Sequence, residues 1–96
     1  MSLPDLRKLA RGKPCLVRLP GCDGGGETTV LAHLRKANVA GMGQKPPDLC
    51  AVWACFPCHE LIDRRKSLVG LTTVELEAAL LYALCRTLAE VSKELE

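Results

Sequence analysis

Two cysteines separated by two residues, Cys55 and Cys58, are the clearest chemical feature of this 96-residue chain. A turn of this spacing aims two thiolates at one point, and a tetrahedral zinc ion needs two such pairs or an equivalent. Cys15 and Cys22 flank a predicted chain reversal and supply a second pair, although their wider separation is a looser signal. The sequence therefore predicts a structural zinc ion held by Cys15, Cys22, Cys55 and Cys58.

Two other interpretations of these thiols stay open. Cysteines two residues apart can form a redox pair, although no βαβ pattern surrounds this one. His59 directly follows Cys58 and could replace a cysteine in the zinc shell, which would leave either Cys15 or Cys22 free. The remaining thiols, Cys50 in an apolar segment and Cys85 in the C-terminal helix, are expected to be buried and to behave as small hydrophobic groups.

The two histidines of the chain are the next candidates for chemistry. His59 and Asp63 are four residues apart, and Glu60 to Lys66 is predicted to be helical, so both side chains can share one helix face and hold one metal ion. A solvated pair is the ordinary interpretation of two such residues, but a helix whose start is held by zinc favours a site. His33 lies near the end of a predicted strand, where it is either a core histidine or reaches into a cleft.

Composition explains why a small chain of this kind would need a metal. With one Trp, one Tyr and one Phe among 96 residues, the hydrophobic core alone supplies little stability. Residues 1–13 carry five charged side chains and lack the apolar core of a signal peptide, and no segment is long enough to cross a membrane. We therefore expect a cytoplasmic protein that does not contact membranes, in which reduced cysteines bind metal instead of forming disulfides.

Charge is distributed unevenly along the chain. Residues 1–66 hold eleven Lys or Arg against six Asp or Glu, whereas residues 67–96 hold two against five. This asymmetry fits a phosphate-binding face on the part that contains the four candidate zinc ligands, although ordinary solvated charge would look the same.

One helical segment and two strands are predicted to position these groups in the first half of the chain. Leu3 to Ala10 has modest helical character. Cys15 to Leu19 is predicted to be a strand that pairs, as an antiparallel hairpin, with a second strand from Thr28 to Leu34. Glycine and proline residues mark Ala40 to Pro47 as an irregular loop.

The C-terminal segment, about residues 73–95, has the clearest periodicity. Apolar residues recur every three or four positions, at Leu76, Leu80, Leu84, Leu88, Val91 and Leu95, which predicts an amphipathic helix. Thr72 and Glu75 have the spacing of a capping box at its start. We expect this helix to cover the zinc-bound unit; a homodimer or a protein partner bound through it is a second, less favoured expectation.

The order of these residues resembles the HNH, or ββα-metal, nuclease family, and most closely its small prophage-encoded YbcO-like nucleases. The resemblance covers about residues 5–66 and implies an α+β fold, in which a zinc-stapled ββα-metal unit carries an added C-terminal helix within one domain, residues 1–96. It is carried by Cys15 and Cys22, Ala32-His33-Leu34, the segment from Gly41 to Asp48, and Cys55-Phe56-Pro57-Cys58-His59 with Asp63.

The resemblance also implies roles. His33 matches the general base that takes a proton from the water attacking a phosphodiester. His59 matches the metal-binding histidine of the final helix, and Asp63 matches a second ligand for Mg²⁺, Mn²⁺ or another divalent ion. The four cysteines match the structural zinc site of many members.

Two positions depart from the family pattern. Ala32 stands where many members have a third metal ligand before the base. The middle position, usually Asn, is assigned to Asp48, with Asn38 as another candidate; Asp48 would fix the tautomer and ring angle of His33.

The resulting prediction is a metal-dependent endonuclease of phage or prophage origin that hydrolyses phosphodiester bonds in DNA. Basic residues near the site would contact flanking phosphates; they are Arg35, Lys36, Lys45, Arg64 and Arg65. The alternative is a non-catalytic zinc-stapled module that binds nucleic acid or protein. It accounts for the cysteines but not for the order of the histidines and aspartates.

Overall fold

The computed structural model describes residues 4–35, 46–63 and 70–95 of the chain. In these residues it is a small α+β protein with the element order α1 (Leu6–Ala10), β1 (Val30–His33), β2 (Ala51–Ala54), α2 (Phe56–Ile62) and α3 (Thr73–Lys93). Helix α1 contacts β1, helix α2 contacts both strands, and helix α3 contacts β2.

The two strands form an antiparallel sheet in which Val30 lies opposite Ala54 and His33 lies opposite Ala51. All four residues of β2 are buried, so this strand is the centre of the fold. The expected hairpin between Cys15–Leu19 and the second strand is therefore wrong, because the partner of that strand is β2. The segment from Cys15 to Leu19 is joined to β2 by a backbone hydrogen bond, in which the amide of Leu16 donates to the carbonyl of Trp53 (2.9 Å).

The segment from Cys15 to Leu19 is a turn around a sulfur atom and not a strand. The backbone amides of Val17 and Arg18 hydrogen-bond to the thiol of Cys15, so they are not available to a sheet. Arg18 has a φ of 58°, in the left-handed region that a strand never uses. The run looks like a strand because its apolar side chains are buried, but its amides bind sulfur.

A glycine loop closes this turn against the rest of the fold. The amide of Cys15 donates to the carbonyl of Gly24 (3.0 Å), and the carboxylate of Asp23 accepts from the amide of Gly25 (2.8 Å) and the hydroxyl of Thr28. Gly25 has a φ of +81°, and a Cβ there would lie 2.4 Å from the amide nitrogen of Cys15. Only glycine fits at this position.

Helix α2 starts earlier than expected. Cys55 is its N-cap and the helix begins at Phe56, because Pro57 in the first turn suits a helix start. Asp63 ends the helix, and its amide donates to the carbonyl of His59. The predicted continuation of this helix to Lys66 lies outside the described residues.

Helix α3 confirms the predicted amphipathic helix and its capping box. The hydroxyl of Thr72 accepts from the amide of Glu75, and the carboxylate of Glu75 accepts from the amide of Thr72. Its buried residues are Leu76, Leu80, Ala83, Thr87 and Val91, of which the first three belong to the same core cluster as Cys15, Cys55 and Cys58. The helix covers the cysteines, as expected.

Two expectations for this helix are wrong in detail. Cys85 is exposed, because it lies on the face of α3 opposite the core. Leu88, expected in the buried stripe, is 40% exposed, and the neighbouring Thr87 is buried instead. The Thr87 hydroxyl accepts a hydrogen bond from the amide of Trp53 (3.2 Å), which explains a polar residue at this position. In the described residues, none of the helices has the length and hydrophobicity that crossing a membrane requires.

Candidate functional site

Cys15, Cys22, Cys55 and Cys58, here called the cysteine centre, come together in one place. Their sulfur atoms all lie within 4.8 Å of one another, and those of Cys22 and Cys55 are 3.7 Å apart. A disulfide would need a separation of about 2.05 Å. Four ligands about 2.3 Å from a central ion at tetrahedral angles would place their sulfurs about 3.8 Å apart, so the four thiols can hold one metal ion.

Backbone amides surround these sulfur atoms as they surround thiolates in a metal site. Gly24 donates to Sγ of Cys22 (3.3 Å), and the thiols of Cys15, Cys55 and Cys58 also form hydrogen bonds with the backbone. Such donors stabilise negative charge on sulfur, which four cysteine ligands, three of them buried, would otherwise concentrate in an apolar core.

The three buried thiols, those of Cys15, Cys55 and Cys58, titrate differently. Burial raises the pKa of Cys55 from its ordinary value of 9.0 to about 11, and it also raises the pKa of Cys58. Burial acts in the same direction on Cys15, but backbone hydrogen bonds from Arg18, Cys55 and Val17 lower its pKa to about 7. Without metal, Cys15 is therefore the most readily ionised of these three thiols near neutral pH, and metal binding displaces protons from Cys55 and Cys58.

His33 and Asp48 form the first of two histidine–carboxylate pairs. Nε2 of His33 lies 2.7 Å from Oδ1 of Asp48, and the His33 side chain is 11% exposed. A turn from Pro47 to Cys50 brings the carboxylate to the end of β1. The amide of Cys50 donates to the carbonyl of Pro47 (2.9 Å) and closes the turn. The carbonyl of Cys50 accepts from the amide of Leu34 (2.9 Å), next to the end of β1. An ionised Asp48 requires the proton on Nε2, which leaves Nδ1 as the basic nitrogen of the ring.

His59 and Asp63 form the second pair, at the end of helix α2. Nε2 of His59 lies 3.2 Å from Oδ2 of Asp63, and both side chains are partly exposed. Two adjacent ligands of an octahedral ion, each about 2.1 Å from it at a right angle, are about 3 Å apart. The spacing therefore suits two neighbouring ligands of one divalent ion.

Neither pair gains a third ligand in the described part of the chain. There, the cysteine centre is the one group of three or more His, Cys, Asp or Glu whose ligand atoms are close enough for a metal ion. Ala32, where a third ligand is expected in the family pattern, is completely buried. His59 lies outside the group of four sulfurs, so the alternative in which it replaces a cysteine has no support among the described residues.

Some predicted site residues lie outside the described residues, namely Lys36, Asn38, Lys45, Arg64 and Arg65. Arg35 lies two residues after the end of β1 and is exposed. Cys50 is half-buried, and its thiol donates to the carbonyl of Leu34 (3.6 Å).

The sequence analysis missed two basic residues beside His33. Arg7 and Arg11, at the start and the end of helix α1, line a cleft that His33 also lines. Their four-residue spacing near a segment of helical character was the available signal, but nothing between this segment and Cys15, the first cysteine, indicated a site.

Comparisons with known proteins match nearly the whole chain. Residues 4–95 match the protein family described as "Putative nuclease YbcO". The chain is 56% identical over 68 residues, 70% of its length, to proteins named "Putative nuclease YbcO" in Escherichia coli K12 and "Putative nuclease ybcO" in Enterobacteria phage 82; the match covers 71% of each. A solved structure, titled as that of a putative bacteriophage protein from Escherichia coli K-12, matches with 43% identity and a TM-score of 0.73 over 92% of this chain and 96% of that one.

Proposed function

Because the chain belongs to the family described as "Putative nuclease YbcO", we propose that it is a metal-dependent endonuclease of the HNH type that hydrolyses phosphodiester bonds in DNA. The contact between His33 Nε2 and Asp48 Oδ1 (2.7 Å) is the observation that carries this proposal. A phage or prophage origin is supported by a relative from Enterobacteria phage 82. Location in the bacterial cytoplasm stays a prediction.

In the proposed reaction His33 is the general base. Its Nδ1 takes a proton from a water molecule whose oxygen attacks phosphorus, and the bond from phosphorus to the 3′ oxygen breaks. Asp48 acts through His33: it keeps the proton on Nε2, holds the ring angle and stabilises the positive charge that the ring acquires. The hydrogen bonds on either side of Asp48 hold its carboxylate in place.

His59 and Asp63 would hold the catalytic divalent ion, such as Mg²⁺ or Mn²⁺. When bound, this ion supplies charge neutralisation at the phosphate and stabilisation of the departing 3′ oxygen. Helix α2 contacts β1, the strand that carries His33, so one packed unit carries both pairs. Arg35, Lys36, Lys45, Arg64 and Arg65 are proposed to contact phosphates on either side of the cleaved bond.

The cysteine centre is proposed to hold a structural zinc ion. Helix α2 begins directly after Cys55, and Cys58 lies in its first turns, so the ion would tie the start of the helix to the Cys15 turn. Zinc suits four thiolate ligands in a closed tetrahedral site. The zinc ion would fix the position of α2 and, because His59 lies on this helix, the position of His59.

The test is cleavage of duplex DNA by the purified protein with Mg²⁺ or Mn²⁺. We expect nicking by the wild type and a loss of about 10²–10⁴-fold in rate for His33→Ala. Glu94→Gln, which removes an exposed carboxylate at the end of α3, is the control and should cleave normally. Asp48→Asn should lose less than His33→Ala because the base itself remains.

Zinc content and the circular dichroism spectrum show whether each variant keeps its fold. Metal-dependent cleavage that survives in a folded His33→Ala protein would contradict the assignment of the base. Absence of cleavage by the wild type under all these conditions, with retained DNA binding, would favour the non-catalytic zinc module.

A further inference from the structure

A cleft of about 270 Å³ opens beside His33, between helix α1 and strand β1. The described residues that line it are Arg7, Arg11, Thr29, Val30, Leu31 and His33. None of these lining residues is acidic. Two arginines and a histidine therefore line one space, together with two aliphatic residues and a threonine.

The two arginines have no partner among the described residues. Neither guanidinium forms a hydrogen bond, an ion pair or a contact over a ring there. The carboxylate of Asp5, the nearest acid in the sequence, is engaged as the N-cap of α1, where it accepts from the backbone amides of Arg7 and Lys8 (3.1 and 3.2 Å). Unpaired guanidinium groups that share a cleft repel each other and attract anions.

Packing holds helix α1 in place beneath these arginines. Leu6 and Ala10, on the inner face of the helix, are buried. Ala10 belongs to a core cluster with Leu16 and Trp53, against which Leu31 packs from strand β1. The helix is thus anchored to the strand that carries His33, and the two arginines emerge from it on the side of the cleft.

We propose that Arg7, Arg11 and the neighbouring wall of the cleft bind a backbone phosphate of DNA, one that lies next to the bond that is cleaved. This inference rests on the proposed function for the identity of the nucleic acid and deepens it, because it assigns a substrate contact to α1. Guanidinium groups bind phosphate through two parallel hydrogen bonds, and two arginines line this cleft.

The walls of the cleft favour a segment of a nucleic-acid strand. Val30 and Leu31 offer an apolar surface for the carbon atoms of a sugar, and no aromatic side chain lines the cleft among the described residues for a base to stack on. The contact would therefore position the strand without reading its sequence.

Binding of a short fluorescent DNA duplex, followed by anisotropy without added divalent ions, tests the proposal. We expect Arg7→Ala/Arg11→Ala to weaken binding about tenfold near 0.1 M salt and to reduce the slope of log K against log[salt] by about two. The control is Lys8→Ala/Lys93→Ala, which removes the same charge from an exposed position of α1 and from α3. It should stay within about twofold of the wild type.

Kinetics provide the second readout where cleavage is observed. A contact to a neighbouring phosphate is made equally in the bound substrate and in the transition state, so Arg7→Ala/Arg11→Ala should raise KM about tenfold and change kcat by less than about twofold. Arg7→Lys/Arg11→Lys keeps the charge but loses paired hydrogen bonds, so its KM should lie between that of the wild type and that of Arg7→Ala/Arg11→Ala.

The inference would be overturned if Arg7→Ala/Arg11→Ala and Lys8→Ala/Lys93→Ala weakened DNA binding equally. It would also be overturned if the wild type showed no salt-dependent binding of DNA. Cleavage with an unchanged KM in Arg7→Ala/Arg11→Ala would overturn it while leaving the nuclease proposal in place. If the wild type never cleaves DNA but Arg7→Ala/Arg11→Ala alone loses DNA binding, the cleft is supported as a phosphate site and the nuclease proposal is contradicted.

Discussion

The cysteine centre and the two histidine–carboxylate pairs are both made of metal-ligand residue types, but they are built in opposite ways. Cys15, Cys55 and Cys58 are at most 3% exposed, and backbone amides surround their sulfur atoms. In the pairs, the side chains of His59 and Asp63 are 29% and 24% exposed, and no third ligand joins them in the described residues. A closed set of four ligands suits a structural ion, whereas an open set leaves positions for water and substrate.

This contrast teaches that burial, more than residue type, separates the two kinds of site in this protein. The cysteines lie in the same core cluster as Leu76 and Leu80 of α3, so their loss would remove part of the core. The pairs lie at the ends of β1 and α2, where a change of side chain leaves the core packing intact. Substitutions in the two regions should therefore have different consequences.

The largest effect is expected for Cys58→Ser. This change should abolish binding of about one equivalent of zinc and most of the cooperative unfolding transition, because structural zinc contributes about 10–16 kcal/mol of apparent binding energy in small zinc domains. Metal content and thermal unfolding measure the result. Cys85→Ser, at an exposed cysteine of α3, is the matched control and should keep both. A folded Cys58→Ser protein that keeps its zinc would contradict the ligand assignment.

A smaller and different effect is expected for His59→Ala. Cleavage should fall by on the order of 10²-fold or more, because one of two proposed ligands of the catalytic ion is lost, while zinc content and melting temperature stay close to those of the wild type. Cleavage rates measured against Mn²⁺ concentration provide the check. Loss of zinc in this variant would show that the two regions are not independent.

The pH dependence of zinc binding sharpens the comparison further. The raised pKa values of Cys55 (about 11) and Cys58 mean that both thiols are protonated at pH 7 and release protons to bind zinc. The affinity should rise with pH, about tenfold per pH unit for each proton released. Cys15, whose pKa is lowered to about 7, adds a further proton only below pH 7, so the slope of log K should steepen there by about one.

Competition with a chromophoric chelator from pH 6 to 8 would measure this slope, with about two protons per zinc as the minimum above pH 7. An affinity that does not change over this range would show that the thiols are already ionised in the metal-free protein. The exposed thiol of Cys85 lies outside the cysteine centre, so Cys85→Ser should give the same slope as the wild type.

Sequence reasoning succeeded where one local pattern determines one local structure. Thr72 and Glu75 form a capping box through contacts three residues apart, and the apolar spacing of α3 follows from the helical repeat. It failed for Cys15 to Leu19, because an apolar run does not reveal whether its amides bind a carbonyl or a sulfur. Exposure of Cys85 was missed because the apolar positions of α3 are more numerous than its core-facing side can bury.

By itself, the sequence determined which residues are available for chemistry: the four candidate zinc ligands, two histidines and the aspartate one helical turn after His59. Only the tertiary structure decided their partners. It paired β1 with β2 and placed Arg7 and Arg11 beside His33, whereas the contact of Asp48 with His33 across fifteen positions of the chain had been expected only from the family resemblance. The physical reason is that spacing along a chain specifies contacts within a turn or a helix, whereas contacts between distant segments depend on which surfaces the core buries together.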